Sequence, residues 1–328
     1  MSRIVNGPMF TEVPVAPFRP GPVGTHITIR GLTKYFAGWP LYENFDLDIP
    51  KGKIVSVFGP NGCGKSTLIN MIAGLTPIDA GEILFDGKSL KDTRIGYVFQ
   101  NYREALFPWW RTIDNIAYPL KLMGKSKAEV DRRLAELVAS FDVKFDLNRY
   151  PYELSGGQQQ TASIMRALAP EPEVLFLDEP FSALDPLIRR DMQQEVMRLH
   201  HELGKTMVFI THDLSEAVKV GDRIAIMRDG AIVQIGTPED LVANPADEYV
   251  ANFVRDIAKS HVLTLKHLAR KAEPGDATDG PELAANTIIR DAAQVILQSH
   301  KPVRVNDNGT ALGIVSSEDV LRLISGGV

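Results

Sequence analysis

The stretch Gly59–Ser66, GPNGCGKS, decides the fold because it matches the phosphate-loop pattern G-x-x-x-x-G-K-[ST]. Lys53–Phe58 before it is largely apolar and predicts a buried strand, and Thr67–Leu75 after it predicts a helix. Glycines let successive N–H groups point at phosphate oxygens, and a helix N-terminus adds a positive dipole end. A glycine-rich turn without a ligand is the alternative. The flanking strand and helix favour a nucleotide site.

Three residues of this loop carry individual expectations. We expect Lys65 to reach the β- and γ-phosphates of the nucleotide and the hydroxyl of Ser66 to ligate Mg²⁺. Cys63 lies near a lysine and a helix N-terminus, which favours a reactive thiolate, so alkylation should inactivate the protein and ATP should protect it. The alternative is that the Cys63 side chain packs beneath the loop and is inert.

The composition bounds the possible classes of protein. The 328 residues suggest two or three domains, and 44% hydrophobic with 23% charged residues is ordinary for a globular protein. A net charge of −5 argues against a nucleic-acid binder. The single cysteine excludes an internal disulfide and suits a reducing cytosol. With no long apolar stretch and no secretion signal, we expect a cytosolic chain that does not cross a membrane.

The sequence before the loop predicts an arm and then a small β layer. Residues 1–24 contain five prolines and predict an irregular arm, with docking on a partner as a further option. HITIRGLTKYF and NFDLDIP, separated by a turn at GWP, alternate apolar and polar residues and predict two antiparallel strands. Phe36 in this layer either stacks on adenine or packs as an ordinary strand residue, and spacing does not separate the two.

Polar side chains end three predicted strands. RIGYVFQ ends at Gln100, VLFLDEP ends in Asp178 and Glu179, and TMVFITHD reaches His212. Ligands bind at the carboxyl ends of parallel strands, so these side chains should meet behind the phosphate loop. We expect Asp178 to hold Mg²⁺, Glu179 to polarise a water, and Gln100 to contact the metal or that water. His212 is either structural or a γ-phosphate contact.

Two further segments stand between these strands. Leu154–Gln160, LSGGQQQ, opens a predicted helix with Ser155 as N-cap, and its glycines leave N–H groups open to an anion. The segment from Asn101 to Tyr152 contains Trp109 and Trp110 and a predicted helix in KSKAEVDRRLAELVASF. Its aromatic residues form either the core of a helical subdomain or a partly exposed patch that accepts another protein.

The order GPNGCGKST, VFQ, LSGGQQQ, VLFLDEP, SALD, THD resembles the ATP-binding subunit of ABC transporters over residues of about 25–255. The resemblance implies an α/β P-loop NTPase with a mainly parallel sheet core, an antiparallel β layer and a helical subdomain at about 101–165. It implies Glu179, His212 and Gln100 as catalytic residues and Ser66, Gln100 and Asp178 as ligands of Mg²⁺. The implied ATP-binding residues are Phe36, Gly59, Pro60, Asn61, Gly62, Cys63, Gly64, Lys65, Ser66, Thr67, Ser155, Gly156, Gly157 and Gln158.

The same resemblance implies partners. Two copies would close head to tail on two ATP molecules, with the Ser155–Gln158 segment of each completing the other's site. Asn101–Leu122 would contact membrane-spanning permease subunits, and a solute-binding protein would act indirectly. The chain would then be peripheral, on the cytoplasmic side of the membrane. One departure is Thr161, where the family usually has arginine.

The subfamily is open between two related groups of importers. Leu106–Trp109, LFPW, and the run DEPFSALD resemble ATPases of nitrate, sulfonate, taurine and bicarbonate importers, which we favour. NFVRDIAKSHVLTLKHLARK resembles the quaternary-amine importers for glycine betaine, choline and proline. A soluble ABC protein acting on ribosomes or DNA, and a regulatory module without hydrolysis, are weaker alternatives.

Residues 256–328 predict a second, small α+β domain. A polar segment is followed by a helix in TIIRDAAQVILQSH, a strand in KPVRVND, a strand in ALGIVS and a helix in SSEDVLRLI. This order resembles one cystathionine-β-synthase-type (CBS) motif, and such motifs normally work in pairs. The domain would bind adenosine nucleotides, sense ionic conditions or only add dimer surface.

Overall fold

A computed structural model describes residues 24–273, 276–277 and 279–324. The backbone divides into two compact units, one ending at Ile232 and the other beginning at Val233. The predicted arm, residues 1–24, lies almost entirely outside the described residues. None of the helices within these ranges combines the length and apolar composition needed to cross a bilayer.

The core of the first unit is a six-stranded, mainly parallel sheet. Its strands, in spatial order, are β5 (Ile95–Val98), β6 (Val174–Asp178), β7 (Thr206–Thr211), β3 (Ile54–Phe58), β8 (Arg223–Arg228) and β9 (Ala231–Gly236). The pairs from β5 to β8 are parallel. β3, β6 and β7 are buried at every position, as their unbroken apolar sequences predict for strands covered on both faces. The predicted parallel core is confirmed.

A three-stranded antiparallel sheet forms the predicted β layer. Its order is β2 (Trp39–Ile49), β1 (Ile27–Phe36) and β4 (Ala80–Phe85). The reversal between β1 and β2 was predicted at GWP, but it lies at Ala37 and Gly38, whose φ angles are 50° and 84°. Trp39 and Pro40 belong to β2, so the predicted turn was displaced by one residue or more.

Helices cover the sheet, and most of the chain between β5 and β6 is helical. They are α1 (Lys65–Ile72), α2 (Tyr102–Ala105), α3 (Thr112–Leu122), α4 (Lys127–Ser140), α5 (Gly156–Leu168), α6 (Pro186–Leu203) and α7 (Leu214–Val220). Leu106, Ile116, Leu134 and Ile164 connect α3, α4 and α5 to the main apolar core. The helical character predicted for residues 101–165 is therefore present.

The second unit carries its own sheet. Its elements are α8 (Pro238–Ala243), α9 (Glu248–Val254), β10 (Glu282–Ala284), α10 (Ile289–Gln298), β11 (Val303–Asp307), β12 (Thr310–Val315) and α11 (Ser317–Ile324). β10 pairs in parallel with β11, and β11 pairs antiparallel with β12 through a turn at Asn308 and Gly309. The predicted order of helix, strand, strand and helix matches α10 to α11.

The division at residue 232 places α8 and α9 with the C-terminal elements, whereas the sequence suggested a boundary at 255/256. Glu239 of α8 gives the physical reason. Its carboxylate accepts hydrogen bonds from the backbone and hydroxyl of Thr264 and forms ion pairs with Lys266 and His267. These contacts connect α8 to a segment that the sequence placed in the other domain.

Candidate functional site

The phosphate loop connects β3 to α1, and at three of its positions the backbone angle or a close neighbour requires glycine. Gly62 and Gly64 have φ angles of 82° and 108°, a conformation that residues with a Cβ rarely adopt. A Cβ at Gly64 would lie 2.4 Å from the Tyr42 hydroxyl oxygen, and one at Gly59 would lie 2.5 Å from the Met227 carbonyl oxygen. The loop therefore approaches its neighbours too closely for any larger residue at these two positions.

A cavity of about 480 Å³ opens beside this loop. It is lined by Leu41, Asn61, Gly62, Gly64, Lys65, Ser66, Thr67, Gln100, Glu179, Ser182 and His212. The structure thus brings together the phosphate loop and the ends of three strands, as the sequence predicted. Its volume is within the usual range for small-molecule sites.

Lys65 is held inside the loop. Its ammonium donates hydrogen bonds to the carbonyl oxygens of Gly59 at 2.7 Å and Pro60 at 2.9 Å, and the residue is only 5% exposed. α1 begins at this lysine, so the first-turn N–H groups of the helix and the ammonium share one corner of the cavity. This corner is suited to an anion.

Ser66 and Asp178 form a pair of oxygen ligands behind that corner. The Ser66 hydroxyl donates to Asp178 Oδ1 at 3.1 Å. Burial raises the pKa of the Asp178 carboxyl, and the neighbouring Glu179 acts in the same direction, against the hydrogen bond from Ser66. Hydroxyl and carboxylate oxygens are the ligands that Mg²⁺ prefers, and a cation here would offset the cost of a buried carboxylate. The residues present therefore fit a magnesium ion.

Glu179 is the centre of a second polar group. Its backbone has a φ of 43° and donates to the Ile210 carbonyl oxygen at 3.0 Å, which turns the side chain away from the strand. Glu179 Oε2 lies 3.0 Å from both Gln100 Nε2 and His212 Nδ1. The carboxylate is mostly buried, whereas the imidazole is half exposed toward the cavity. Such a carboxylate can accept a proton from a water held in the cavity.

Gln100 was predicted to contact either the metal or the attacking water, and both alternatives stay predictions. Its amide nitrogen donates to Glu179 Oε2. Gln100 lies two residues beyond the end of β5 and is exposed, so it belongs to the Glu179 group in this structure.

The Ser155–Gln158 segment does not line the cavity within the chain. Ser155 caps α5: its hydroxyl accepts from the Gln158 N–H, and the Gln158 side chain accepts from the Ser155 N–H. A Cβ at Gly157 would lie 2.7 Å from Ile188 Cγ2, so this glycine permits close packing of α5 on α6. Thr161 donates its hydroxyl to the Gly157 carbonyl oxygen at 3.0 Å, a bond internal to the helix.

Phe36 and Cys63 also lie outside the cavity lining. Phe36 is 49% exposed, and the Lys34 ammonium lies 5.5 Å from its ring centroid, so an open aromatic face is present. Cys63 is buried at 4% exposure, and its sulfur lies 2.9 Å from where a Cβ on Gly59 would stand. The thiol is therefore packed against the loop, as the second alternative describes, and its reactivity stays a prediction.

The aromatic residues after Gln100 include both packed and exposed side chains. Phe107, Trp110 and Tyr118 have ring centroids 4.9–5.4 Å apart. Trp109, whose ring centroid lies 5.6 Å from that of Phe107 with the two planes tilted by 38°, is 67% exposed, and Leu122 is 69% exposed. The cluster is consequently a packed base that carries an exposed apolar surface.

Sequence reasoning missed Tyr97, and it named Ser182 only as part of the SALD motif, without a role for its hydroxyl. The Tyr97 hydroxyl lies 3.3 Å from Asp178 Oδ2 and 2.8 Å from Asn70 Oδ1, and the Ser182 hydroxyl donates to the Glu179 carbonyl oxygen. Burial, followed by the charge of Asp178, raises the pKa of Tyr97. Tyr97 lies three residues before Gln100, but its contact with Asp178 depends on the register of β5 on β6, which the local sequence does not show.

Comparisons with known proteins agree with this geometry. The ABC transporter family model matches residues 42–182. The trimethylamine N-oxide transport system ATP-binding protein TmoW of Pelagibacter ubique is 40% identical over 86% of this chain and 85% of its own length. The glycine betaine transport ATP-binding protein OpuAA of Bacillus subtilis is 43% identical over 73% of this chain and 59% of its own length.

A solved structure is similar as well. The dimeric structure of MJ0796, a bacterial ABC transporter cassette, is 32% identical with a TM-score of 0.58, covering 65% of this chain and 98% of its own. A post-hydrolysis state of the same cassette, bound to ADP and Pi, gives a TM-score of 0.57 with the same identity and coverage.

Proposed function

The chain belongs to the ABC transporter family as the ATP-binding subunit of an import system and is an ATPase, and from this premise we propose how its residues divide the work. The observation that carries the proposal is the meeting of the phosphate loop with Glu179, Gln100 and His212 around one cavity. Lys65 and the first N–H groups of α1 bind the β- and γ-phosphates of ATP.

The hydrolytic step is assigned to Glu179. Its carboxylate orients a water and accepts its proton as the water attacks the γ-phosphate. Gln100 and His212 fix the carboxylate, and the exposed imidazole of His212 is placed to contact the γ-phosphate. Ser66 and Asp178 would hold Mg²⁺, with Gln100 as a further ligand if its amide turned from Glu179, and the ion would neutralise charge on the phosphate oxygens.

Completion of the site is assigned to a second copy of the chain. The Ser155–Gln158 segment lies outside the chain's own cavity, yet its helix N-terminus and the Ser155 hydroxyl are suited to an anion. The related cassette MJ0796 forms a dimer. We therefore propose a head-to-tail dimer in which each α5 N-terminus contacts the γ-phosphate bound by the partner copy.

A permease contact is assigned to Asn101–Leu122. Trp109 and Leu122 expose large apolar surfaces on a packed aromatic base, which is the composition of an interface rather than of a solvated surface. The contact would place the chain at the cytoplasmic side of the membrane, with a solute-binding protein acting through the permease.

For the solute, we propose a small methylated amine. Two relatives support this proposal: TmoW, named for trimethylamine N-oxide, aligns over 86% of this chain, and OpuAA is named for glycine betaine. The nitrate, sulfonate, taurine and bicarbonate class stays a prediction that rests on Leu106–Trp109 and DEPFSALD. The two solute classes are distinguished by measuring uptake of labelled glycine betaine and labelled taurine in cells whose only copy of this protein carries Glu179→Gln. We expect uptake to fall only for the solute that the system transports.

The C-terminal unit contributes regulation or dimer surface in this proposal. Its strand and helix order is that of one CBS-like motif, and α10 and α11 expose Val295, Leu297 and Leu321. Pairing with the same motif of the second copy would cover these side chains.

The test is ATP hydrolysis by the purified chain, wild type against Glu179→Gln, with mass measured by light scattering. We expect the variant to lose at least about 100-fold in turnover while it still binds ATP, and to accumulate as an ATP-bound dimer. Glu195→Gln is the matched control, because this carboxylate of α6 pairs with Arg198 and does not line the cavity. A Glu179→Gln chain with wild-type turnover would contradict the assigned role.

If the purified wild-type chain does not hydrolyse ATP, two explanations have to be separated. Thr161→Arg, which restores the residue usual in the family, would recover turnover if the altered signature helix were responsible. If it did not, activity would depend on the permease subunits.

A further inference from the structure

We infer that Tyr97 is a positioning residue of the magnesium site: its hydroxyl, supported by Asn70, fixes the carboxylate of Asp178. The inference deepens the proposed function, because it rests on Asp178 as a ligand of Mg²⁺. Tyr97 itself would not contact the metal, ATP or the attacking water.

Three elements bring these residues together. Tyr97 on β5 pairs with Phe176 on β6, and Asp178 follows Phe176 by two residues on the same face of the strand. On α1, Asn70 follows Ser66 by four residues and so lies on the same face of the helix. The helix that begins at the phosphate loop is therefore connected to β6 through the Tyr97 hydroxyl.

The contacts divide the two carboxylate oxygens between two donors. Ser66 Oγ donates to Asp178 Oδ1 at 3.1 Å, and Tyr97 Oη donates to Asp178 Oδ2 at 3.3 Å. With one donor on each oxygen, rotation of the carboxylate about its bond to Cβ is restricted. Mg²⁺ requires near-ideal octahedral geometry, so the direction of a ligand oxygen affects its affinity.

The number of hydroxyl protons on Tyr97 decides which residue is the donor in its hydrogen bond with Asn70. Tyr97 has one O–H and two acceptor oxygens within reach, Asn70 Oδ1 at 2.8 Å and Asp178 Oδ2 at 3.3 Å. The oxygen and nitrogen of an asparagine amide are exchangeable by a half-turn. With the NH₂ group of Asn70 facing the phenol, Asn70 donates to Tyr97 and Tyr97 donates to Asp178, which satisfies all three groups.

The tyrosine ring is fixed independently of its hydroxyl. Its centroid lies 4.4 Å from that of Phe99 and 6.1 Å from that of Phe176. Tyr97→Phe therefore keeps the ring packing and removes only the O–H. Asp178 is 7% exposed, so water cannot readily replace the lost donor at Oδ2.

The experiment compares metal affinity in wild type and Tyr97→Phe. Mn²⁺ is titrated by electron paramagnetic resonance in the presence of a non-hydrolysable ATP analogue, and MgCl₂ is titrated in the ATPase assay. We expect both half-saturating metal concentrations to rise about fivefold, the equivalent of losing one hydrogen bond of ordinary strength. Turnover at saturating Mg²⁺ and analogue binding in EDTA should stay within about twofold of wild type.

Two further variants separate positioning from packing. Tyr35→Phe removes an exposed hydroxyl that donates to Glu43 at the same 3.3 Å distance, and it should leave the metal titrations unchanged. Asn70→Leu keeps the volume but removes the support of the phenol, and it should raise the half-saturating concentrations less than Tyr97→Phe does. It also tests the inference if Tyr97→Phe does not fold.

A lower melting temperature for Tyr97→Phe with unchanged Mn²⁺ affinity would overturn the inference, since the hydroxyl would then serve stability alone. Failure of the proposed function has a different signature: wild type itself would bind no Mn²⁺ with the analogue, or Asp178→Asn would bind it normally.

Discussion

Two helices of the first unit begin in glycine-rich sequence, and their N-termini are satisfied in opposite ways. α1 follows Gly64, which has a φ of 108° and supplies no side-chain cap. α5 follows Ser155, whose hydroxyl and the Gln158 side chain form a reciprocal capping box. The first helix leaves its N–H groups to a ligand, whereas the second satisfies part of them with its own side chains.

The two N-termini therefore differ in what they need. The α1 N-terminus is part of a site that one chain assembles, whereas the α5 N-terminus is a surface that is ordered without a ligand. At α1 the Lys65 ammonium is already in the loop, so the anion site is assembled by the chain alone. At α5 the capping box preserves the helix start whether or not a second copy is present. The Ser155 hydroxyl accepts from Gln158, and its own proton remains able to bind a phosphate oxygen.

Substitution of Lys65 should give the largest effect, since it removes the positive charge beside the first N–H groups of α1. We expect Lys65→Ala to weaken ATP binding by about 100-fold, as two hydrogen bonds between charged groups are lost. Binding of a fluorescent ATP analogue to the single chain measures this. Lys53→Ala is the control, because it replaces an exposed lysine that lies just before β3. ATP affinity unchanged in Lys65→Ala would show that the loop N–H groups suffice.

Substitution of Ser155 should give an intermediate effect that appears only in the dimer. Ser155→Asp keeps a good N-cap but directs negative charge at the partner's phosphate, whereas Ser155→Ala removes the cap at a cost of about 1 kcal/mol. We expect Ser155→Asp to lose ATP-driven dimerisation with a nearly unchanged melting temperature. ATP affinity of the single chain should stay within about twofold.

Light scattering in the Glu179→Gln background, with and without ATP, follows this dimerisation. If Ser155→Asp weakened ATP binding by the single chain as strongly as Lys65→Ala, the contrast between the two helix N-termini would be false.

The sequence predicts those features of the fold and the site that depend on residues close together along the chain. The buried strands β3, β6 and β7, the Ser155 cap and the polar side chains at three strand ends follow from local pattern and from the rule that ligands bind at the carboxyl edge. These predictions required only the order of residues along each element.

Contacts that depend on side-chain direction were not predictable in this way. The sequence left Gln100 open between the metal and the attacking water, and it did not predict the hydrogen bond that the Gln100 amide donates to Glu179. Tyr97 reaches Asp178 through the register of β5 on β6, which no local pattern reports. The reversal at Ala37 and Gly38 likewise depends on a non-glycine residue in a left-handed conformation.

Cys63 should give the smallest effect and sharpens the description of the α1 loop. Because its thiol is 4% exposed and lies against Gly59, an alkylating reagent must wait for the loop to open. We expect native alkylation to be at least about 100-fold slower than alkylation of the unfolded chain, and bound ATP to slow it further. Cys63→Ala should keep ATP affinity within about twofold. Rapid native labelling, accompanied by loss of ATP binding, would instead mean that the loop at α1 is open in the free chain and that its N–H groups are ordered only by the nucleotide.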